Sequence, residues 1–370
     1  MSRRTRWIGI PVILLLLAGA GGALVLSHTA ACPAVAEPAV TVDATRAQAY
    51  TYACYGGPEV LRLTNIAIPT PADTEVVVQV RAASVNPLDW HFMRGEPYVM
   101  RVSSGLGTPN DPRLGVDFAG VVASVGSRVT EFRVGDRVFG ERTGAFATHV
   151  VVREAGVISH MPDSLSFDDA AAAGVAAITA LQALRDKAHV RAGQRVLING
   201  ASGGVGTYAV QIAKNYGAHV TGVASTRNLA LVQSLGADRV IDYTKADFTA
   251  EGVKYDAIID MVGNHTLRSL DGALAPGGIV VIVGGPSNNA FLGPLTRSAV
   301  ALVASPVLTG TFANFLSESN KADLVLLRDW LKSGTLRSVI DRRYPFAELS
   351  AAIAYQEAGR SRGKVIVQMP

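Results

Sequence analysis

The chain is poor in cysteine, in aromatic residues and in charge. Two of its 370 residues are cysteine, 6% are aromatic and 17% are charged. Two cysteines cannot build a disulfide framework or a four-thiolate zinc lobe. We predict that Cys54 is a small buried hydrophobic residue in the first strand of the globular part, and neither it nor Cys32 assigns a function.

Basic runs are missing as well. The formal net charge is +4, but lysine and arginine are scattered among acidic residues and form no basic run interleaved with aromatic residues. This distribution argues against a nucleic-acid partner. No internal repeat occurs, and a hydrophobic content of 49% is sufficient for a large core divided between two domains.

A long apolar run stands near the N-terminus. Ile8–Ser27 carries no charge and follows three arginines at positions 3, 4 and 6. Because about 20 helical residues span roughly 30 Å of hydrocarbon, we predict a single-pass transmembrane helix, with residues 1–45 as membrane anchor and linker. The alternative is a signal peptide cleaved near Ala34–Ala36, which would leave a secreted protein. The sequence leaves open on which side of the membrane the rest of the chain lies.

Two patterns of secondary structure follow the linker. Residues 46–169 contain β-rich runs separated by Gly, Pro and Asp turns, which predicts a small barrel-like domain. From about residue 170, short apolar runs alternate with helical stretches, as is typical of an α/β fold with a parallel sheet covered by helices. The apolar residues 291–310 are interrupted by glycine, proline and arginine, so we predict a loop and helix covering the active site rather than a second membrane span.

The strongest motif is a glycine-rich loop, Asn199–Gly206, between a predicted strand and a predicted helix. Its glycines allow a tight turn and close approach to a pyrophosphate, whose charge is favoured by the helix N-terminus. A further strand follows the helix, and this context predicts a dinucleotide site rather than only a tight turn. The loop residues predicted to contact the cofactor are Gly200, Ser202, Gly203, Gly204, Val205 and Gly206.

The residues after the next strand indicate which dinucleotide is bound. NAD-binding sequences carry an acidic residue there, whereas this chain has Ser225 and Arg227. A hydroxyl and a guanidinium suit a 2′-phosphate, which a carboxylate would repel, so we predict NADPH. Lys214 and Tyr243 either close the same pocket or are a solvated helix lysine and a packed aromatic residue.

The order of the motifs resembles the medium-chain dehydrogenase/reductase superfamily, in its quinone oxidoreductase and zeta-crystallin branch. The likeness runs from about residue 47 to the C-terminus and is carried by the segments 84–89, 115–122, 134–138, 199–206, 224–228, 235–243 and 360–365. It implies a GroES-like β-barrel catalytic domain, residues 46–169 completed by 313–370, and a doubly wound Rossmann domain, residues 170–312. It also implies a homodimer and further cofactor contacts from Val262, Gly284, Arg360 and Lys364. For Arg360 and Lys364 the alternative is that they hold the closing strand.

Zinc members of this superfamily hold the metal with a cysteine, a Gly-His-Glu motif and a later Cys or Asp. The matching positions here read Asn86-Pro87 and Gly115-Val116-Asp117, without a thiolate or an imidazole, which predicts a zinc-free enzyme. The chemistry that then stays accessible is hydride transfer to an electron-poor acceptor, a quinone or an α,β-unsaturated carbonyl.

The resemblance also supplies candidates for the catalytic residues. Asn86 matches a hydrogen-bond donor to the acceptor oxygen; contact with the cofactor ribose, or simply capping the turn before Pro87, are its alternatives. Tyr98 resembles the proton donor of related enoyl reductases. His91 lines the substrate mouth or packs there, and Asp89 and Asp117 orient loops. Two further functions stay open: an enoyl-thioester or 2-alkenal reductase, and a non-catalytic NADPH-binding scaffold.

Overall fold

The computed structural model describes residues 22–33, 46–287 and 289–370. One layer is a six-stranded, all-parallel sheet whose strands are apolar on both faces. In spatial order the strands are β10 (Arg239–Asp242), β9 (His219–Ala224), β8 (Arg195–Asn199), β11 (Tyr255–Asp260), β12 (Leu274–Ile282) and β13 (Thr311–Asn314). This is the strand order of a dinucleotide-binding fold, with its switch point between β8 and β11.

Helices cover both faces of this sheet because its strands expose apolar side chains on each side. The Ala-rich run after residue 166 is divided into short helices, and its small side chains pack closely against the helix that follows β8. The helices of this half are α4 (Phe167–Ala171), α5 (Gly174–Gln182), α6 (Gly204–Asn215), α7 (Leu229–Ser234), α8 (Leu267–Ala273) and α9 (Leu295–Ala304).

The second layer is a mostly antiparallel sheet formed by both ends of the chain. Its strands run in the order β14 (Ile340–Pro345), β15 (Lys364–Gln368), β3 (Glu75–Val85), β4 (Asp117–Val125), β5 (Arg137–Glu141) and β7 (Ile158–His160), with β6 (His149–Arg153) also paired to β3. β15 pairs with β3, so the last strand completes the N-terminal domain. β1 (Ala47–Thr51) and β2 (Arg62–Ile66) form a separate hairpin.

Four more helices complete the fold. They are α2 (Pro87–Arg94) and α3 (Arg101–Ser104) in the N-terminal half, and α10 (Lys321–Ser333) and α11 (Leu349–Glu357) near the C-terminus. The Rossmann and GroES-like architecture is therefore confirmed. The predicted end of the Rossmann domain at 312/313 would cut through β13. Because β13 belongs to the parallel sheet, the Rossmann domain extends beyond it.

The predicted transmembrane helix is wrong. Across the described ranges, no helix is long and apolar enough to cross a bilayer. Of the predicted span, only residues 22–27 are described, and they form a short helix, α1. Residues 28–33 follow without regular secondary structure, apart from an isolated bridge at Thr29. The predicted positions 8–21, and the cleavage site at 34–36, lie outside the described residues. The membrane localisation that was inferred from this span is therefore wrong as well.

The two cysteines also differ from expectation. Cys32 and Cys54 form a disulfide with their Cα atoms 5.1 Å apart. Their spacing of 22 residues gave no sign of this pairing, because it depends on where the N-terminal segment docks on the catalytic domain.

Candidate active site

The glycine loop lies at the carboxyl edge of the parallel sheet, between β8 and α6. Gly200 has a φ of +90°, in the left-handed region that favours glycine. A Cβ on Gly206 would lie 2.1 Å from the carbonyl oxygen of Gly200, so no larger residue fits there. The two ends of the loop therefore pack closely against each other. The backbone amides of the loop lie at the N-terminus of a 12-residue helix, where they suit a pyrophosphate.

A buried polar network holds the strand ends beneath this loop. Asn199 Nδ2 donates to Asp260 Oδ1 at 2.8 Å, and a guanidinium nitrogen of Arg297 donates to Asp260 Oδ2 at 2.8 Å. Asp260 is fully buried, and it also accepts from the amide of Gly263 at 3.0 Å. The network fixes the end of β8 to the end of β11. This network was not predicted from the sequence, although Asn199 and Asp260 are both polar residues that end apolar strands.

Two predicted cofactor contacts lie along the same edge. Val262 follows β11 and is 42% exposed, and Gly284 follows β12, where an added Cβ would lie 2.6 Å from the carbonyl oxygen of Met261. Both strands are parallel to β8, so their carboxyl ends face the same crevice.

The predicted 2′-phosphate residues gather after β9 and β10. Tyr243 donates its amide to the carbonyl of Ala224, which places it beside Ser225, and its side chain is 57% exposed. Arg227 is exposed and donates to the carbonyl of Arg360 at 3.2 Å. The fold thus brings four predicted residues to one rim of the crevice, namely Ser225, Arg227, Tyr243 and Arg360.

A cavity of about 340 Å³ adjoins this rim. It is lined by Tyr243, Thr244, Lys245, Ala246, Asp247, Phe248, Asn264 and His265. Nearby, Asn228 Nδ2 donates to Ser202 Oγ at 3.0 Å and so links the glycine loop to the turn after β9. The buried Asn228 was not singled out from the sequence; its place three residues after Ser225 was the available signal.

Lys214 does not belong to this group. Its ammonium contacts both carboxylate oxygens of Asp238 at 2.8 Å and the carbonyl of Ala218 at 3.1 Å. It lies ten residues after Gly204 on the same helix, about 15 Å along the axis from the glycine loop. The structure therefore favours the alternative of a structural helix lysine.

A buried polar cluster joins the catalytic domain to the glycine loop. Lys364 Nζ donates to Asn86 Oδ1 at 2.5 Å and lies 3.6 Å from Asp117 Oδ2, and all three residues are buried. Asn86 Nδ2 donates to Asp117 Oδ2 at 2.9 Å and to the carbonyl of Ser84 at 3.3 Å. Asp117 Oδ1 accepts from the amide of Val175 at 2.9 Å. Since the amide of Asn86 is engaged at both ends, this arrangement favours a positioning role over donation to an acceptor oxygen.

Lys364 lies deeper than a surface cofactor contact would. Burial lowers the pKa of its ammonium, while the charge of Asp117 opposes that shift. Its side chain passes directly under the loop: a Cβ on Gly204 would lie 3.1 Å from Lys364 Cδ. One buried cation therefore connects the cofactor loop to the two catalytic-domain residues.

Two carboxyl groups beside the cluster are also perturbed. Burial raises the pKa of Asp89 to about 7, against the hydrogen bond that its Oδ2 accepts from the Asn86 amide. Burial, followed by the charge of Asp117, raises the pKa of Glu141, which accepts a hydrogen bond from Ser319. Burial therefore favours the neutral forms of Asp89 and Glu141, and the ammonium of Lys364 balances the charge of Asp117.

These residues do not suit zinc. The positions that would supply thiolate and imidazole hold an amide and Val116, and an ammonium already lies on the remaining carboxylate. Throughout the described ranges, no group of three or more His, Cys, Asp or Glu residues could hold a metal ion.

The mouth of the cleft is closed by two loops that hydrogen-bond to each other. The amide of Tyr98 donates to the carbonyl of Ala290 at 2.7 Å, and the amide of Val99 donates to that of Phe291 at 3.1 Å. The rings of Tyr98 and Phe291 meet edge to face at 5.2 Å. No described residue accepts or donates a hydrogen bond at the Tyr98 hydroxyl. His91 stacks on Trp90 and is held through Nδ1 by the carbonyl of Glu96.

Comparison with known proteins agrees with this geometry. Residues 72–163 match the alcohol dehydrogenase GroES-like domain, and residues 235–367 match the family described as zinc-binding dehydrogenase. A zinc-type alcohol dehydrogenase-like protein of Schizosaccharomyces pombe is 35% identical, over 82% of this chain and 90% of its own length. The 2-methylene-furan-3-one reductase of Solanum lycopersicum is 32% identical, over 90% of this chain and 82% of its own.

A solved structure is similar over nearly the whole described chain. The quinone oxidoreductase of Coxiella burnetii is 30% identical and superimposes with a TM-score of 0.76, over 88% of this chain and 100% of its own. A protein of this fold with a glycine loop at the switch point is a pyridine-nucleotide oxidoreductase. The chain belongs to the medium-chain dehydrogenase/reductase family, among relatives that include quinone oxidoreductases.

Proposed function

We propose that the chain is an NADPH-dependent, zinc-independent reductase of quinones or α,β-unsaturated carbonyls. The observation that carries the proposal is the buried contact of Lys364 with Asn86 and Asp117, directly under the glycine loop. The region that holds a metal in zinc members contains a fixed ammonium here, and acceptors that need no Lewis acid suit such a site.

The preference for NADPH rests on the rim formed after β9 and β10. Ser225, Arg227 and Tyr243 offer hydroxyls and a guanidinium, with no carboxylate among them. Arg227 is free of any ion pair with the described residues, so its guanidinium is available for a 2′-phosphate. When bound, the reduced nicotinamide supplies hydride. The amides of the glycine loop would hold its pyrophosphate at the N-terminus of α6.

Tyr98 supplies the candidate proton donor. Its hydroxyl is unpaired among the described residues, and its backbone is fixed to the opposite loop at the cleft mouth. An enone gains a hydride at carbon and needs a proton at the carbon or oxygen left negative, whereas a quinone can take its proton from solvent. The free phenol thus favours the second candidate, a 2-alkenal or enoyl-thioester reductase, and the tomato relative's reductase name supports the enone class.

An assay of NADPH and NADH oxidation against quinones, 2-alkenals and enoyl thioesters tests the proposal. We expect turnover with NADPH on at least one quinone or enone. Tyr98→Phe should lower kcat for enones by about 10²-fold or more and leave quinone reduction within about threefold, as removal of a general acid predicts. Tight NADPH binding without turnover on any acceptor would instead select the non-catalytic scaffold.

A further inference from the structure

We propose that residues 22–33, the N-terminal segment, support the active site by fixing the position of Tyr98. The Cys32–Cys54 disulfide retains this segment, and the segment holds Arg101, which contacts the ring of Tyr98. The inference rests on the proposed function, since it assigns a support to the proposed proton donor. Arg101 is a positioning residue in this scheme.

Arg101 is unusual because it is buried without an acidic partner. It is 2% exposed, and it makes no ion pair with any carboxylate that the structure describes. The guanidinium lies between two aromatic rings, 4.5 Å from the centroid of Tyr55 and 4.4 Å from that of Tyr98. A desolvated guanidinium between rings is stabilised by cation–π attraction, which fixes the position of each ring as well as that of the cation.

Carbonyl oxygens on two sides satisfy the remaining donors of Arg101. Its Nε donates to Gly95 at 2.7 Å, within the same loop as Tyr98. One terminal nitrogen donates to Leu26 at 3.1 Å, to His28 at 2.8 Å and to the hydroxyl of Thr29 at 3.1 Å, all in the N-terminal segment. Without this segment, a buried guanidinium nitrogen would lose every one of these acceptors, at a cost typical of an unsatisfied charged donor.

The segment is itself tied to the catalytic domain at two further points. The amide of Ala30 donates to the carbonyl of Gly107 at 3.0 Å, at the end of the Tyr98 loop, which we define as residues 94–107. The disulfide joins Cys32 to Cys54, the residue before Tyr55. Most of the segment's side chains are exposed, so apolar burial alone does not hold it. The covalent link supplies the retention that its small buried area lacks.

The consequence is a chain of contacts that ends at the phenol. The disulfide retains the N-terminal segment, the segment satisfies Arg101, and Arg101 sandwiches Tyr98 against Tyr55. Opening the disulfide therefore loosens the Tyr98 loop and misplaces its hydroxyl, while the cofactor loop on the other domain is untouched.

The test compares Cys32→Ser/Cys54→Ser and Arg101→Lys with the unmodified full-length chain, and uses Arg128→Lys as a matched control at an exposed ion pair. Each protein is assayed with NADPH and an enone that the unmodified chain reduces, and NADPH affinity is measured by fluorescence titration. We expect kcat/KM for the enone to fall about tenfold or more in both test variants, because small misplacements at a reacting group have such effects. The NADPH Kd and the control should stay within about twofold.

A cycle with Tyr98→Phe separates positioning from general destabilisation. In that background, Cys32→Ser/Cys54→Ser and Arg101→Lys should have almost no further effect on kcat/KM for the enone, since the group they position is already gone. Equal losses with and without the Tyr98 hydroxyl would overturn the proposal.

Hydrogen exchange provides a readout that does not need activity. We expect amides of the Tyr98 loop to lose protection in the double cysteine variant, while those of the glycine loop keep theirs. If no acceptor is reduced by the unmodified chain, the proposed function fails, yet this measurement still decides whether the segment holds the loop. Unchanged protection in both test variants would refute the inference whatever the activity.

Discussion

Replacing Asp89 with asparagine should stabilise the protein at alkaline pH. Its carboxyl group is 1% exposed, one oxygen accepts from the Asn86 amide at 2.7 Å, and the other has no partner among the described residues. Burial raises its pKa from 3.8 to about 7. A folded-state pKa above the unfolded value means that the folded protein binds the extra proton, so stability is lost as pH rises from about 3.8 to about 7.

The magnitude follows from the same values. At about 1.4 kcal/mol for each pH unit, the fully ionised carboxylate destabilises the folded state by about 4 kcal/mol above pH 7. Asparagine keeps the shape and the acceptor but carries no charge. In urea unfolding, Asp89→Asn should therefore exceed the unmodified chain in free energy of unfolding by about 1.7 kcal/mol at pH 5 and by about 4 kcal/mol at pH 8.

Asp163→Asn is the matched control, because that side chain is fully exposed and its replacement should change the free energy of unfolding by less than about 0.5 kcal/mol. A difference between Asp89→Asn and the unmodified chain that is the same at pH 5 and pH 8 would refute the reasoning. So would a variant that is less stable at pH 8.

Three other substitutions test separate parts of the site. Lys364→Met should lower the free energy of unfolding by about 3–5 kcal/mol in urea at pH 8, because it strands a buried carboxylate; a loss below about 1 kcal/mol would contradict the pairing. Gly206→Ala should weaken NADPH binding at least about tenfold in fluorescence titration, since its Cβ would lie 2.1 Å from the Gly200 oxygen, whereas Gly272→Ala meets no atom within 4 Å and should bind normally. Arg227→Asp should weaken NADPH about 10- to 100-fold and spare NADH, and equal losses for both would argue against a 2′-phosphate contact.

The dinucleotide fold and its phosphate loop could be predicted from the sequence because their signals are local. Eight consecutive residues between a strand and a helix define the glycine loop, and the alternation of apolar runs with helices defines the parallel sheet. The rim residues Ser225 and Arg227 were also within reach, because they follow a strand whose place in the sheet is set by the chain order. Their preference for NADPH stays a prediction.

Other features depend on where distant segments meet. For Lys214 the sequence left two readings open, a pocket residue or a helix lysine, because a helix lysine's direction depends on its tertiary neighbours. The structure favours the second, since Asp238 lies at the far end of the helix and pairs with it. The apolar run near the N-terminus satisfied a length rule for a membrane span, and that rule takes no account of the contacts that its last residues make with Arg101.

The class of the protein can be recognised along the chain, because short-range order fixes a strand, a turn and a helix, and a turn of glycines is visible wherever it lies. The construction of the candidate site depends instead on contacts between segments that are distant in sequence. Lys364 and Asn86 are 278 residues apart, and Cys32 meets Cys54 only when the N-terminal segment docks. Local conformation does not bring these side chains together; the packing of separate elements does. The periodicity of the sequence therefore does not predict such pairs.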